Sequence, residues 1–230
     1  MHEDFIQEFG EELPSRRRRP SFLRRLLSLT LTGCLIALLL LRGHEAYYLV
    51  RFGVRTIHSI SDLDHDFIDD YTDMVLGARA YIRTKPLYDS GYYGGGYPPD
   101  GSGVCADVIW QAFKAAGYDF KAMIDQDIAQ NPKAYPLPNS RPDPNIDFRR
   151  VVNLKVFFER HGQSLTTDIT QIDQWQPGDL VFYEGHVAIV STRRNSSGIP
   201  YIIHHTGHGA FEEDAITYKP ITGHYRWIAG

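Results

Sequence analysis

Sixteen uncharged, mostly apolar residues run without a break from Leu26 to Leu41, closed by Arg42 and preceded by Arg16 to Arg19, Arg24 and Arg25. No other stretch of this length is so apolar, so the run divides the chain. As a helix, sixteen residues rise about 24 Å, somewhat short of the roughly 30 Å hydrocarbon core of a bilayer. Flanking Phe22, Tyr47 and Tyr48 are therefore expected to complete the span at the interfaces. Six arginines stand before the run, against Arg42, Arg51 and Arg55 just after it. That bias predicts a cytoplasmic N-terminus and export of everything that follows. The predicted layout is a cytoplasmic basic tail at 1–21, one transmembrane signal anchor at 22–44, a linker at 45–61 and a single domain at 62–230.

Within the run, Leu31-Thr32-Gly33-Cys34 resembles a lipobox, after which a signal peptide is cut and the cysteine lipidated. A lipidated cysteine normally leads into a polar tether, whereas Leu35, Ile36, Ala37 and four leucines follow here. The uncleaved anchor is the main reading, with lipoprotein anchoring at Cys34 and ordinary cleavage as the alternatives. All three export the domain. Past residue 42 the chain holds 17 Lys and Arg against 23 Asp and Glu, with no basic cluster. Phosphate binding needs such clusters, so nucleic acid is not an expected partner.

Cysteine usage narrows the chemistry. The chain has two cysteines, and with Cys34 in the apolar run, Cys105 has no disulfide partner in the exported domain. An unpaired cysteine there is either a small buried hydrophobe or a thiol retained for reactivity. Cys105 ends a loop running from Tyr92 through Gly94-Gly95-Gly96-Tyr97-Pro98-Pro99 to Gly103-Val104. After it, Cys105, Val108, Ile109, Ala112, Phe113 and Ala116 recur at helical spacing, with Gly117 as a stop signal. Cys105 therefore opens a helix, where unpaired backbone N–H groups and the helix dipole favour a thiolate.

A nucleophilic thiol needs a base. Gln176-Pro177-Gly178-Asp179 is a turn signal, Leu180 to Tyr183 a strand and Gly185 to Ser191 a second strand. Alternation puts His186, Ala188 and Val190 on one face, with Val187 and Ile189 on the other. The polar loop Thr192 to Gly198 then connects to a strand at Tyr201 to His205. If that hairpin is centred near Asn195, the residue opposite His186 is His204 or His205, about 5 Å away and able to orient the imidazole. A metal site using His204 and His208 is the competing reading, but Thr206, Gly207 and Gly209 disfavour the helix that such spacing needs. No metal and no cofactor are expected.

Taken together, Gly94-Gly95-Gly96, Pro99 and Gly103-Val104-Cys105, the helix to Gly117, Pro177-Gly178-Asp179-Leu180-Val181 and Gly185-His186-Val187-Ala188-Ile189-Val190 resemble the NlpC-type papain-like cysteine peptidases of bacterial cell walls. Gly103-Val104-Cys105-Ala106-Asp107-Val108, Pro142-Asp143-Pro144-Asn145-Ile146-Asp147-Phe148-Arg149-Arg150-Val151 and Ile221-Thr222-Gly223-His224-Tyr225 look more narrowly like an uncharacterised exported branch. The resemblance implies an α+β, papain-like fold in which a helix bearing the cysteine packs on an antiparallel sheet bearing the base. Cys105 then matches the nucleophile, His186 the base and His204 the third polar residue, with His205 in reserve. Tyr92 or Tyr93 matches the upstream aromatic that would help hold an oxyanion. The main branch has Ser-Gly after its cysteine where this chain has Ala106-Asp107. Asp107 is read as bonding the loop or the helix start rather than tuning the site.

Between the two halves, a proline-rich loop leads into an amphipathic helix at 151–158. Asn145, Asp147, Arg149 and Arg150 there are candidate substrate-binding residues, arginine being suited to grip a carboxylate. Residues 62–84 read as another helix, with Asp64, Phe67, Ile68, Tyr71, Met74, Val75 and Ala78 at helical spacing. The expected function is hydrolysis of an amide in peptidoglycan stem peptides, at the outer side of the inner or cytoplasmic membrane. An amidase or esterase acting on a lipid-linked substrate, and an inactive cell-wall binding module, are the alternatives.

Overall fold

A computed structural model describes residues 22–228, with the side chains of 22–25 and 34–42 left out. The basic tail at 1–21 and the Cys34 side chain lie outside the described residues. Helix α1 (Phe22–Phe52) covers the apolar run. Among the described residues, no helix is long and apolar enough to cross a membrane. The chain divides into two units, Met1–His44 and Glu45–Gly230; the second holds every element discussed below.

That unit is a mixed α+β arrangement. Helix α2 (Asp70–Arg83) is followed by a minimal parallel pair, β1 (Leu87–Tyr88) with β2 (Ser102–Gly103), and then by α3 (Cys105–Ala115), α4 (Phe120–Gln130) and α5 (Val151–His161). Six strands complete it: β3 (Gly162–Ser164), β4 (Leu180–Tyr183), β5 (His186–Arg194), β6 (Pro200–Thr206), β7 (Gly209–Glu213) and β8 (Ile221–Trp227). They form one antiparallel sheet in the order β3-β8-β4-β5-β6-β7. Within 45–61, read as a linker, Tyr48 and Val54 are buried, and Ile57 N–H donates to Gln176 Oε1 at 3.0 Å.

The two-residue period of the strands separates two cores. Leu180, Phe182, Val187, Ile189 and Ile203 face the helices with Ile109, Phe113, Leu154 and Phe158. Val181, Tyr183, Ala188, Val190 and Ile202 pack on the other side with Trp175 and Ile216. Each fully buried Phe or Ile contributes about 1.5–3 kcal/mol of transfer free energy. The largest aromatic group, Phe113, Phe120, Phe157, Phe158 and Trp227, locks α3, α4 and α5 to β8. The Asp179 of the Pro-Gly-Asp turn is structural: buried, it accepts from Gln176 N–H at 2.8 Å and from Arg226 Nε at 2.7 Å, and its Oδ2 pairs with His224 Nε2 at 3.0 Å. It therefore pins the start of β4 to β8.

Two expectations fail locally. The helix read over 62–84 begins only at Asp70. In 62–69, Asp carboxylates accept backbone N–H bonds, among them Asp66 and Phe67 N–H to Asp62 and Ile68 N–H to Asp66. Short acidic side chains compete with the helix for those donors and win here. The hairpin register also differs. Ile189 pairs with Ile203 and Val190 with Ile202, after a shift between Val190 and Arg194. Continuing that register sets Thr206, not His204 or His205, opposite His186. His204 is instead the diagonal neighbour on the same face, within reach of a long or aromatic side chain.

Candidate active site

Cys105 is the first residue of α3, and the helix start is held by its own third residue. Val104 N–H donates to Asp107 Oδ2 at 2.7 Å, and the Asp107 carboxylate is clamped by Arg149, with Nε 3.0 Å from Oδ1 and Nη2 3.0 Å from Oδ2. Cys105 is a free thiol, 7% exposed. Burial pushes the thiol up, while the backbone N–H groups of Val187, Ala106 and Cys105 itself pull the other way. The thiolate expected from the helix terminus is thus opposed by desolvation, which costs a buried anion more than a helix end returns. Alkylation of Cys105 by iodoacetamide is accordingly expected to accelerate steadily through the alkaline range. A rate plateau reached at mildly acidic pH would contradict this.

His186 opens β5, directly before the Val187 whose N–H meets the thiol, and is 8% exposed. Its Nε2 lies 3.0 Å from His204 Nδ1, and His204 Nε2 lies 2.7 Å from Glu213 Oε1 at the end of β7. The order of protons follows from the end of this row. A carboxylate only accepts, so His204 Nε2 carries a proton and donates it to Glu213. Neutral His204 then accepts at Nδ1, so His186 donates from Nε2 and its Nδ1 keeps the lone pair. Both rings are held neutral. Burial, with His204, Lys219 and His205 adding to it, pushes His186 down to about 3, and burial outweighs Glu213 in lowering His204.

Tyr218, in the loop between β7 and β8, closes the group. Its ring centroid stands 5.8 Å from that of His186, 5.7 Å from His204 and 4.9 Å from Tyr183. Burial raises its hydroxyl to about 12, with the charge of Cys105 adding to it. It is a neutral donor electrostatically coupled to the thiol.

Residues 75–227, which contain Cys105, His186, His204, Glu213 and Tyr218, match the family model of the domain of unknown function DUF1287. The chain belongs to this family. The DUF1287 chain is also similar to the uncharacterized protein YijF of Escherichia coli strain K12, at 37% identity over 163 residues, 66% of this chain and 79% of that protein. No solved structure matches it.

The other sequence candidates in the DUF1287 domain fall elsewhere. Tyr93 hydroxyl donates to Asp89, and Tyr92 hydroxyl donates to Asp143 Oδ1 at 3.1 Å and accepts from Asn145 Nδ2 at 2.9 Å. Both hydroxyls serve the loop before α3, and Tyr218 is the tyrosine beside the histidine pair. His205 faces the helices, with Nδ1 2.8 Å from Thr206 carbonyl and Nε2 3.1 Å from Pro86 carbonyl; it takes no part in the row. His208 is exposed in the turn after β6 and does not meet His204 in a metal-ligating group among the described residues.

The substrate-binding reading of Asp147 and Arg149 does not hold, because both are buried and spent internally. Asp147 accepts from Asp143 N–H and Asn153 Nδ2. Arg149, besides gripping Asp107, donates to the carbonyls of Gly91 and Asp89. Asn145, half-exposed, holds Gly95 N–H at 2.8 Å, and Arg150, also half-exposed, stands 3.6 Å from Asp147 Oδ1 and lines a cavity of about 520 Å³ with Asn139 and Arg141. A further cavity of about 560 Å³ is lined by Tyr81, Pro98, Pro99 and Trp110 but by neither Cys105 nor His186. Glu213 and Tyr218 were not singled out in the sequence. The Thr206-Gly207-His208-Gly209 turn was the available signal for Glu213, since a hairpin there pairs His204 with Phe211 and brings Glu213 to the same face.

Proposed function

We propose that this DUF1287 domain is an exported, membrane-anchored cysteine hydrolase of the NlpC-type papain-like kind that cleaves an amide in peptidoglycan stem peptides. The observation that supports the reading is the proton order fixed by Glu213 and His204, which leaves His186 a neutral base with its lone pair on Nδ1, one residue before the Val187 whose backbone N–H meets the helix-terminal thiol of Cys105. Export rests on the arginine-flanked apolar run, and the substrate class on export together with the motif resemblance.

In this mechanism Cys105 Sγ attacks the amide carbonyl carbon as its proton passes to His186 Nδ1. The oxyanion accepts from the Cys105 backbone N–H and the Tyr218 hydroxyl. Protonated His186 then delivers its proton to the departing amine as the C–N bond breaks, leaving a thioester on Cys105. Water, deprotonated by His186, attacks the thioester and releases the new carboxylic acid and the free thiol. The test is to incubate detergent-purified full-length protein with isolated peptidoglycan and analyse released fragments by mass spectrometry, beside a Cys105→Ala variant. Peptide fragments with new carboxyl termini are expected from the wild type alone. Identical products from both proteins would refute the cysteine mechanism.

A further inference from the structure

The mechanism uses Tyr218 but not the lysine that follows it. The loop between β7 and β8 is pinned to the sheet by Ile216, which is buried in the second core and whose carbonyl accepts from the Tyr183 hydroxyl at 2.8 Å. Two residues on, Tyr218 stands against both imidazoles of the row. Lys219 comes next, and Pro220 behind it biases the lysine backbone away from a helical turn and toward an extended one. The base of this side chain is therefore held beside the histidines, while its tip is exposed.

Lys219 Nζ lies over the Tyr218 ring, 5.5 Å from its centroid. Among the described residues no carboxylate pairs with that ammonium: Glu213 is taken by His204 at 2.7 Å and Glu212 by Arg79 at 2.6 Å. An unpaired lysine on a surface is ordinary, so its place decides. The Tyr218 ring stands 5.8 Å from the His186 ring. The ammonium is thus no more than about 11 Å from the imidazole centre, roughly the length of three extended residues. Its charge reaches the base, adding to burial and to His204 in holding His186 low. Arg149, the arginine suited by type to grip a carboxylate, is committed to Asp107.

We propose that Lys219 is a substrate-binding residue whose ammonium takes a free carboxylate carried within three residues of the scissile amide. This rests on the reading of Cys105 and His186 as a peptidase pair and adds a substrate class to it, an anionic peptide. Past residue 42 the chain is acidic, with 17 Lys and Arg against 23 Asp and Glu. Such a domain does not draw in an anionic peptide by its net charge, and an unpaired cation at the site supplies the attraction locally. The Tyr218 face steadies the lysine stem for that contact. A carboxylate seated there also offsets the positive charge felt by His186 and so strengthens the base as the substrate arrives.

The experiment is calorimetry on detergent-purified full-length protein carrying Cys105→Ala, which keeps the probe intact. The probes are a synthetic stem tetrapeptide with its carboxylates free and the same peptide with them amidated. The free-carboxylate peptide should bind roughly threefold to tenfold tighter at low ionic strength, and most of that advantage should vanish in 0.5 M NaCl. Adding Lys219→Met, which keeps the apolar stem over Tyr218, should abolish the preference, and adding Lys219→Arg should retain it. The side chain is exposed, so Tm should not move in either variant. Binding of neither peptide, equal binding of both, or a preference that survives Lys219→Met would each overturn the assignment. Turnover of the two peptides by the protein with Cys105 intact is read separately. Preferential binding without hydrolysis sinks the peptidase reading and leaves Lys219 as a carboxylate binder, whereas hydrolysis without preference sinks the role of Lys219 alone.

Discussion

Cys105→Ala and His186→Ala are each expected to lower turnover of a cleavable amide by on the order of 10⁴-fold or more, and the double variant by little beyond either alone. Nucleophile and base act as one unit, so removing either removes the covalent route, and losses within such a unit do not add. His204 should behave differently, because it acts through His186. His204→Ala frees the His186 ring to adopt the other tautomer, with its proton on Nδ1 and no base presented to the thiol. A loss of roughly 10²–10³-fold in kcat with little change in KM is the expected signature. His204→Asn restores an acceptor for His186 Nε2–H and should recover part of that loss, which a merely packing role for His204 would not predict. Glu213 is half-exposed, so water replaces it more readily and Glu213→Ala should cost less than His204→Ala. Steady-state kinetics on a defined stem peptide across the six variants tests the order. Equal losses at Glu213 and His186 would refute the proton order derived from the row.

How much of this was legible in the chain follows from how local each signal is. The α3 start at Cys105, its stop at Gly117, the β4 strand from Leu180 to Tyr183 and the alternation of β5 are set within a turn or a strand, and the structure has all of them. Gly117 adopts φ 81°, which its stop role requires. The hairpin spacing leaves His204 and His205 both open as the residue opposite His186; the irregularity between Val190 and Arg194 sets His204 in the diagonal position instead. A shift of that kind depends on how the loop packs, which spacing along the chain does not encode. Non-local partners were harder still. Arg149 looked like a carboxylate binder because it is an arginine in a polar loop, and only the fold brings it to Asp107, 42 residues away. Helix α4, whose apolar face is weakly marked, and the insertion of β8 between β3 and β4 were likewise invisible before the sheet assembled.

The Asp107–Arg149 pair therefore gives the other large expected effect, on stability rather than chemistry. Both side chains are buried, at 0% and 2% exposure, and each is satisfied mainly by the other. Arg149→Met leaves the Asp107 carboxylate buried with one backbone donor and no counter-charge, which should cost about 3–5 kcal/mol. For a domain of this size that corresponds to a drop of roughly 6–20 °C in Tm. Asp107→Leu should destabilise similarly, because it strands the guanidinium and also strips the cap from the helix that carries Cys105. In the double variant no buried charge is left unpaired, so its loss should be smaller than the sum of the two. Thermal melts of the three variants measure this coupling directly. The same melts separate the two roles that Arg149 could have: a residue gripping substrate would raise KM and leave Tm unchanged. A residue that holds Asp107 against the start of α3, and the Asp89 and Gly91 carbonyls beside it, lowers Tm with substrate absent. The geometry predicts the second, and with it a loss of activity that tracks unfolding instead of substrate affinity.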